Sequence, residues 1–104
     1  MTKKPKGYEM SEEEWEGQVK EMAARFGWLY YHTWRSFHSP VGFPDFMLVR
    51  GKRLIFAELK AEGQQCPAEQ YEWLLALHEA ELVGKCEVYL WWPSGFYDIA
   101  EILR

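Results

Sequence analysis

Two runs rich in strand-forming residues, 45–49 and 54–60, are joined by Arg50-Gly51-Lys52-Arg53, and this join constrains the fold more than any other stretch of the chain. Glycine at the first central position of a two-residue loop suits a type II′ turn, whose twist matches that of paired strands. With Gly51 and Lys52 as the loop, Val49 faces Leu54, Met47 faces Phe56 and Asp45 faces Glu58. Opposed Cβ atoms lie about 4.5–5.5 Å apart, and like charges there destabilise a sheet. Lys60 follows Glu58 by two positions, so the strand period places both on one face. A lone Glu-x-Lys reads as an exposed ladder at a sheet edge. Here the pair stands in an otherwise apolar strand, where buried charge is costly unless it faces a site. Two carboxylates can share a hard dication such as Mg²⁺, and a neighbouring ammonium can orient or deprotonate water. Of sixteen acidic residues only Asp45 and Asp98 are aspartates, and Asp45 stands at the strand mouth after Gly42-Phe43-Pro44.

The flanking segments supply the other layers. Ser11 and Glu14 form a capping box, and Trp15, Val19, Met22, Ala23 and Phe26 follow at helical spacing until Gly27. Residues 28–33 read as a strand and 34–44 as a loop. A second helix is expected to start at Pro67, with Trp73, Leu74 and Leu77 inward. Gln70 shares that stripe, where it either satisfies buried backbone or reaches into the site. Residues 87–92 form another strand, broken at Pro93-Ser94-Gly95, and 97–103 a short closing helix. The expected fold is one α/β domain over residues 11–104, preceded by a flexible basic arm over residues 1–10. Its mixed sheet is flanked by helices in the order α-β-β-β-α-β, with a short C-terminal helix.

Composition excludes several classes. Hydrophobic residues at 48% and charged residues at 27% are globular values, which argues against disorder. No uncharged run approaches the roughly 18 apolar residues of a membrane span, and Lys3, Lys4 and Lys6 lead into no apolar signal segment, so a soluble, unsecreted protein is expected. Cys66 and Cys86 match no close metal-ligand spacing and are expected to be reduced. The formal charge is −4, yet residues 35–60 carry +3 while residues 61–104 carry −6. Attraction for a polyanion is therefore local to the central segment, and binding should be weak and salt-dependent.

Taken together, Gly42-Phe43-Pro44-Asp45, Phe56-Ala57-Glu58-Leu59-Lys60, Pro67-Ala68-Glu69-Gln70, Trp73 and Val88-Tyr89 resemble the VRR-NUC branch of the PD-(D/E)XK nuclease superfamily, over nearly the whole chain from Ser11 to Leu103. The resemblance implies a restriction-endonuclease-like core, akin to Holliday-junction resolvases. It would hydrolyse DNA phosphodiesters with Mg²⁺ or Mn²⁺ in the cytoplasm of a bacterial or phage-infected cell. It also implies that Asp45 and Glu58 ligate the metal with the Leu59 carbonyl, that Lys60 positions or activates the water, and that Gln70 belongs to the site.

The resemblance further implies an acid from the first helix. Helical periodicity places Glu12 inside the apolar stripe and Glu16 at its border, with Glu13 and Glu14 pointing away. The family's spacing favours Glu16, with Glu12 second. His32, Arg35, Ser36 and His38 precede Gly42 where relatives carry a His, Ser and Arg-rich loop, and are expected to contact DNA phosphates. Arg50, Lys52 and Arg53 at the hairpin tip are the other basic candidates, although an exposed turn is often charged for solubility alone. The expected function is a metal-dependent DNA endonuclease, with branched or junction DNA a candidate substrate beside flaps, nicks and plain duplex, and a homodimer one way for a single small site to cut two strands. The alternative is a catalytically silent DNA-binding or protein-interaction module that keeps the fold.

Overall fold

The computed structural model describes residues 8–33 and 42–104. Ser11 caps helix α1 (Glu12–Arg25): its hydroxyl accepts from the Glu14 N–H at 3.1 Å, and the Glu14 carboxylate accepts from the Ser11 N–H at 3.5 Å. Gly27, at φ 83°, turns the chain out of the helix into strand β1 (Leu29–His32). Strands β2 (Phe46–Arg50) and β3 (Arg53–Leu59) follow. In the turn between them Gly51 has φ 60°, and no described non-glycine residue has positive φ, which is the type II′ pattern. The register is the expected one, with Met47 against Phe56 and Val49 against Leu54.

Helix α2 (Ala68–Leu82) begins one residue later than expected: Pro67 has a helical φ of −62° but an extended ψ of 155°, so it is the N-cap. Strand β4 (Glu87–Trp91) leads through a single 3₁₀ turn, Pro93–Gly95, into helix α3 (Phe96–Leu103). The sheet order is β1-β2-β3-β4, antiparallel except for the β3/β4 pair that α2 connects in parallel. This is the mixed α/β architecture expected, a four-stranded sheet with three helices. Of the basic arm, residues 1–7 lie outside the described residues, while Met10 packs against the core.

Strand alternation assigns the two faces of the sheet. Phe46, Leu48, Ile55, Ala57 and Leu59 are buried and meet Trp15, Val19 and Met22 of α1 and Ile99 and Leu103 of α3 in one cluster. Burial of each large side chain in this cluster is worth about 1.5–3 kcal/mol. The indole N–H groups of Trp15 and Trp28 donate to the carbonyls of Trp91 (3.2 Å) and Leu103 (2.8 Å), so neither buried donor is wasted. Trp91 is therefore core, as expected, and Trp92 donates to the Gln64 carbonyl at 2.7 Å, tying down the β3–α2 connection. On the other face, α2 lays Trp73 against Phe43, with ring centroids 4.9 Å apart.

The hairpin tip is drawn into the fold. Arg50 donates to the carbonyls of Phe26 and Leu103 (2.9 Å each) and of Arg104 (3.0 Å). Arg53 donates to the Ile102 carbonyl (2.8 Å) and grips Glu87 through two bonds of 2.8 and 2.7 Å. Both guanidinium groups lie over the Trp28 ring, at 4.7 and 5.0 Å. They thus satisfy carbonyls left over at the C-terminal ends of α1 and α3, where the helix dipole favours a cation. The Arg53 hydrogen bonds hold the Glu87 carboxyl below its ordinary range. Since lysine cannot reproduce the forked grip, Arg53→Lys should lower stability by about 1–3 kcal/mol. Urea unfolding checks this, and a midpoint equal to wild type would show that the grip contributes nothing.

Candidate active site

At the opposite end of the hairpin from its basic tip, Asp45, Glu58 and Lys60 come together. Thr33 fixes the chain entering β2: its N–H donates to the Asp45 carbonyl at 2.8 Å and its hydroxyl to that of Pro44. The Asp45 side chain then accepts from the Leu59 N–H at 2.8 Å, which latches the mouth of β2 to the end of β3. Glu58 is 1% exposed, and its Oε2 lies 3.1 Å from Lys60 Nζ and accepts from Gln70 Nε2 at 2.7 Å. Of the two roles open to Gln70, the structure gives the one that reaches into the cluster. Glu58 Oε1 is buried and receives no hydrogen bond.

Burial, and then the charge of Asp45, push the Glu58 carboxyl up to about 7 against the opposing pull of Lys60. Cys66 lies beside the cluster, with Sγ 3.6 Å from the Gln70 side-chain oxygen. Burial, followed by the charge of Glu58, raises its thiol pKa.

The first helix contributes from the other face of the sheet. Glu16 is buried and Glu12 only half-buried. Glu16 Oε2 lies 3.3 Å from His32 Nε2, and Glu16, His32 and Asp45 each offer a ligand atom within 4.8 Å of the others. Asp45, at the strand end, thus meets groups from both faces. Among the DNA-contact candidates, Arg35, Ser36 and His38 lie outside the described residues. His32 points toward carboxylates, Arg50 and Arg53 serve the helix ends described above, and Lys52 stays exposed on the turn.

Sequence reasoning missed the neighbours of His32 and the role of Gly42. A Cβ on Gly42, which has φ 87°, would stand 2.5 Å from the Glu69 carbonyl oxygen and 3.1 Å from Gln70 Cα. The first turn of α2 therefore rests on the glycine itself, which sets how closely Gln70 approaches Glu58.

The fold is shared with a known nuclease. The structure of Hjc, a Holliday junction resolvase from the archaeal hyperthermophile Archaeoglobus fulgidus, superposes with a TM-score of 0.54 at 19% identity, covering 77% of this chain and 67% of that one. A VRR_NUC domain is similar at a TM-score of 0.45 and 27% identity, over 72% of this chain and 81% of that one. No protein-family model and no curated protein matches the chain. The architecture is thus resolvase-like and restriction-endonuclease-like. No described helix is long and apolar enough to cross a membrane.

Two outcomes follow from this geometry. Gly42→Ala combines positive φ with a backbone clash, so it should cost about 1–3 kcal/mol. It should also weaken the Gln70–Glu58 hydrogen bond, read as a shifted Gln70 side-chain amide resonance; an unmoved resonance would separate Gly42 from the cluster. For Glu58 the folded-state pKa exceeds the ordinary 4.5, so its contribution to stability is present below that value and lost as pH rises through about 7. In EDTA, Glu58→Gln should therefore be more stable than wild type at about pH 8, by on the order of 1–3 kcal/mol, and converge with it near pH 4. The introduced amide can still accept from Gln70 and can donate to Asp45. Thermal melts across this range check the sign, and a less stable mutant at high pH would refute the charge assignment.

Proposed function

We propose that this chain is a metal-dependent DNA endonuclease that hydrolyses phosphodiester bonds, with residues 11–104 as its single nuclease domain. The observation that carries the reading is the meeting of two buried carboxylates, Asp45 and Glu58, with the Lys60 ammonium at one sheet end of a resolvase-like fold. Asp45 and Glu58 would hold Mg²⁺ or Mn²⁺, and the donor set fits: both offer oxygen, and Glu58 Oε1 is buried without a hydrogen-bond donor. Leu59 would lend its backbone carbonyl as a third ligand. The register carried past Phe46 sets Leu59 against Pro44, which has no N–H to give it. Such a cation, when bound, supplies Lewis-acid stabilisation of phosphate charge and acidifies a water.

The remaining steps belong to the chain. Lys60 would position or activate the attacking water, or neutralise a phosphate oxygen as negative charge develops. Gln70 holds Glu58 Oε2, leaving Oε1 for the cation. Glu16 completes the acidic set from α1 in preference to Glu12. DNA phosphates would be met by Arg35, Ser36 and His38, with Lys52 as an outer contact. The junction-resolving neighbour supports branched DNA as the first substrate to try, and two strands cut by single sites call for a homodimer.

The test is a cleavage panel over single-stranded, duplex and four-way-junction DNA in Mg²⁺ or Mn²⁺, with EDTA as control. Asp45→Asn should abolish cleavage. Lys60→Ala should reduce it at least a hundredfold while calorimetry shows Mn²⁺ still bound, because the ammonium acts on water and phosphate. DNA binding without cleavage under every metal would instead favour a catalytically silent module.

A further inference from the structure

We infer that Cys66 is a positioning residue of the proposed nuclease site. By donating its thiol proton to the Gln70 side-chain oxygen, it fixes which end of that amide faces Glu58, and so which oxygen of Glu58 is left to a cation. The part played by the cation rests on the nuclease reading, whereas the orientation of the amide rests on the chain alone.

The side chains form one hydrogen-bonded line into the site. Cys66 Sγ lies 3.6 Å from Gln70 Oε1, Gln70 Nε2 donates to Glu58 Oε2 at 2.7 Å, and Lys60 Nζ lies 3.1 Å from the same Glu58 oxygen. Glu58 Oε1 is buried and receives no hydrogen bond. A thiol has a single proton to give, and a second acceptor, the Pro67 carbonyl, stands 3.8 Å from Sγ. That carbonyl already accepts from the Gln70 N–H at 3.0 Å, so the thiol proton goes to the shorter contact, the Gln70 side chain. Cys66 is itself buried at the end of the β3–α2 connection, which the Trp92 indole ties down through the Gln64 carbonyl.

A carboxamide has a donor at one end and an acceptor at the other in nearly the same shape, so packing alone does not choose between its two orientations. Gly42 sets how closely the Gln70 backbone approaches, not which way the amide faces. Turned over, Gln70 would set its oxygen against Glu58 Oε2, acceptor against acceptor, and its amino group against a sulfur, which accepts weakly. The carboxylate would then lose the donor that holds Oε2 and with it the distinction between its two oxygens. A donor at Cys66 satisfies the amide at both ends in the observed orientation. Burial raises the thiol pKa, so at neutral pH the sulfur carries the proton it gives. The competing account is that Cys66 only fills space beneath the start of α2.

The two accounts separate in the full chain, studied metal-free by NMR and with Mn²⁺ by calorimetry. Cys66→Ala removes the donor, Cys66→Ser keeps one, and Cys66→Val fills the volume without one. In Cys66→Ala the Gln70 side-chain amide resonances should shift, and Mn²⁺ should bind about three- to tenfold more weakly, the size of one lost hydrogen bond. Cys66→Val should do the same, which keeps the test open if the smaller alanine unfolds the chain. Cys66→Ser should restore both the resonances and the affinity. In a Gln70→Ala background the Mn²⁺ effect of Cys66→Ala should vanish, because Cys66 acts through that amide. Unmoved resonances in Cys66→Val, a loss in Cys66→Ser equal to that in Cys66→Ala, or an effect that persists undiminished without Gln70 would each overturn the positioning role. Failure of the nuclease reading looks different: no Mn²⁺ binding or no DNA cleavage by a chain whose Gln70 resonances still respond to Cys66→Val and recover in Cys66→Ser.

Discussion

The hydrogen bond from the Leu59 N–H to the Asp45 carboxylate holds together what the rest of the molecule supports. It closes the mouth of a hairpin just where the regular ladder ends, and it does so with a charged acceptor, which makes it stronger than an ordinary backbone bond. The consequence is that Asp45 is fixed close to Glu58, whose carboxyl is raised by its own burial and by that proximity. Two carboxylates so placed would drive the strands apart if nothing offset them. Lys60 and Gln70 engage one oxygen of Glu58, and Thr33 pins the backbone on either side of the Pro44–Asp45 bond. The acids are thus held at the sheet end in a frame of hydrogen bonds and an ion pair.

That frame depends on a division along one hairpin. The tip carries two arginines whose donors terminate α1 and α3 and whose planes cover Trp28, so the basic end ties both helices to the sheet. The mouth carries the acids. With the two ends about 17 Å apart at strand rise, the structural cations do not neutralise the site's carboxylates across a screened distance.

The hairpin end of the site was legible because an antiparallel register follows from one turn: once Gly51 and Lys52 are the loop, the pairing of residues from Arg50 and Arg53 outward is determined. The order and class of the elements were legible for a similar reason, since capping residues and apolar period are local. The helical acid was harder. Periodicity measures angle around the axis, by which Glu12 lies better than Glu16, whereas burial and the approach to His32 also depend on height along it, and the structure gives those to Glu16. The destiny of Arg50 and Arg53 was hidden because a basic turn looks the same in sequence whether it meets solvent or the carbonyls of Phe26 and Leu103, far off in the chain. His32 and Gly42 were hidden likewise, for their significance lies in α1 and α2, which reach them only through tertiary packing.

The same packing makes stability and binding oppose each other. A neutral amide in place of Glu58 would ease the metal-free fold and, on the proposed reading, would also take an oxygen ligand from the cation. A ligand that binds only the folded state stabilises it by RT ln(1 + [L]/Kd), about 2.7 kcal/mol at a hundredfold excess over Kd. On the proposed reading that is the order of the cost of holding the Glu58 carboxyl up at about 7, so a bound cation would be able to relieve it. In a domain of this length the acids can be kept because the rest of the sheet is closed by the apolar packing of Trp15, Leu48, Ile55 and Leu59 on the α1 face. The polar end of the sheet can therefore carry buried acids while the apolar face holds the fold together.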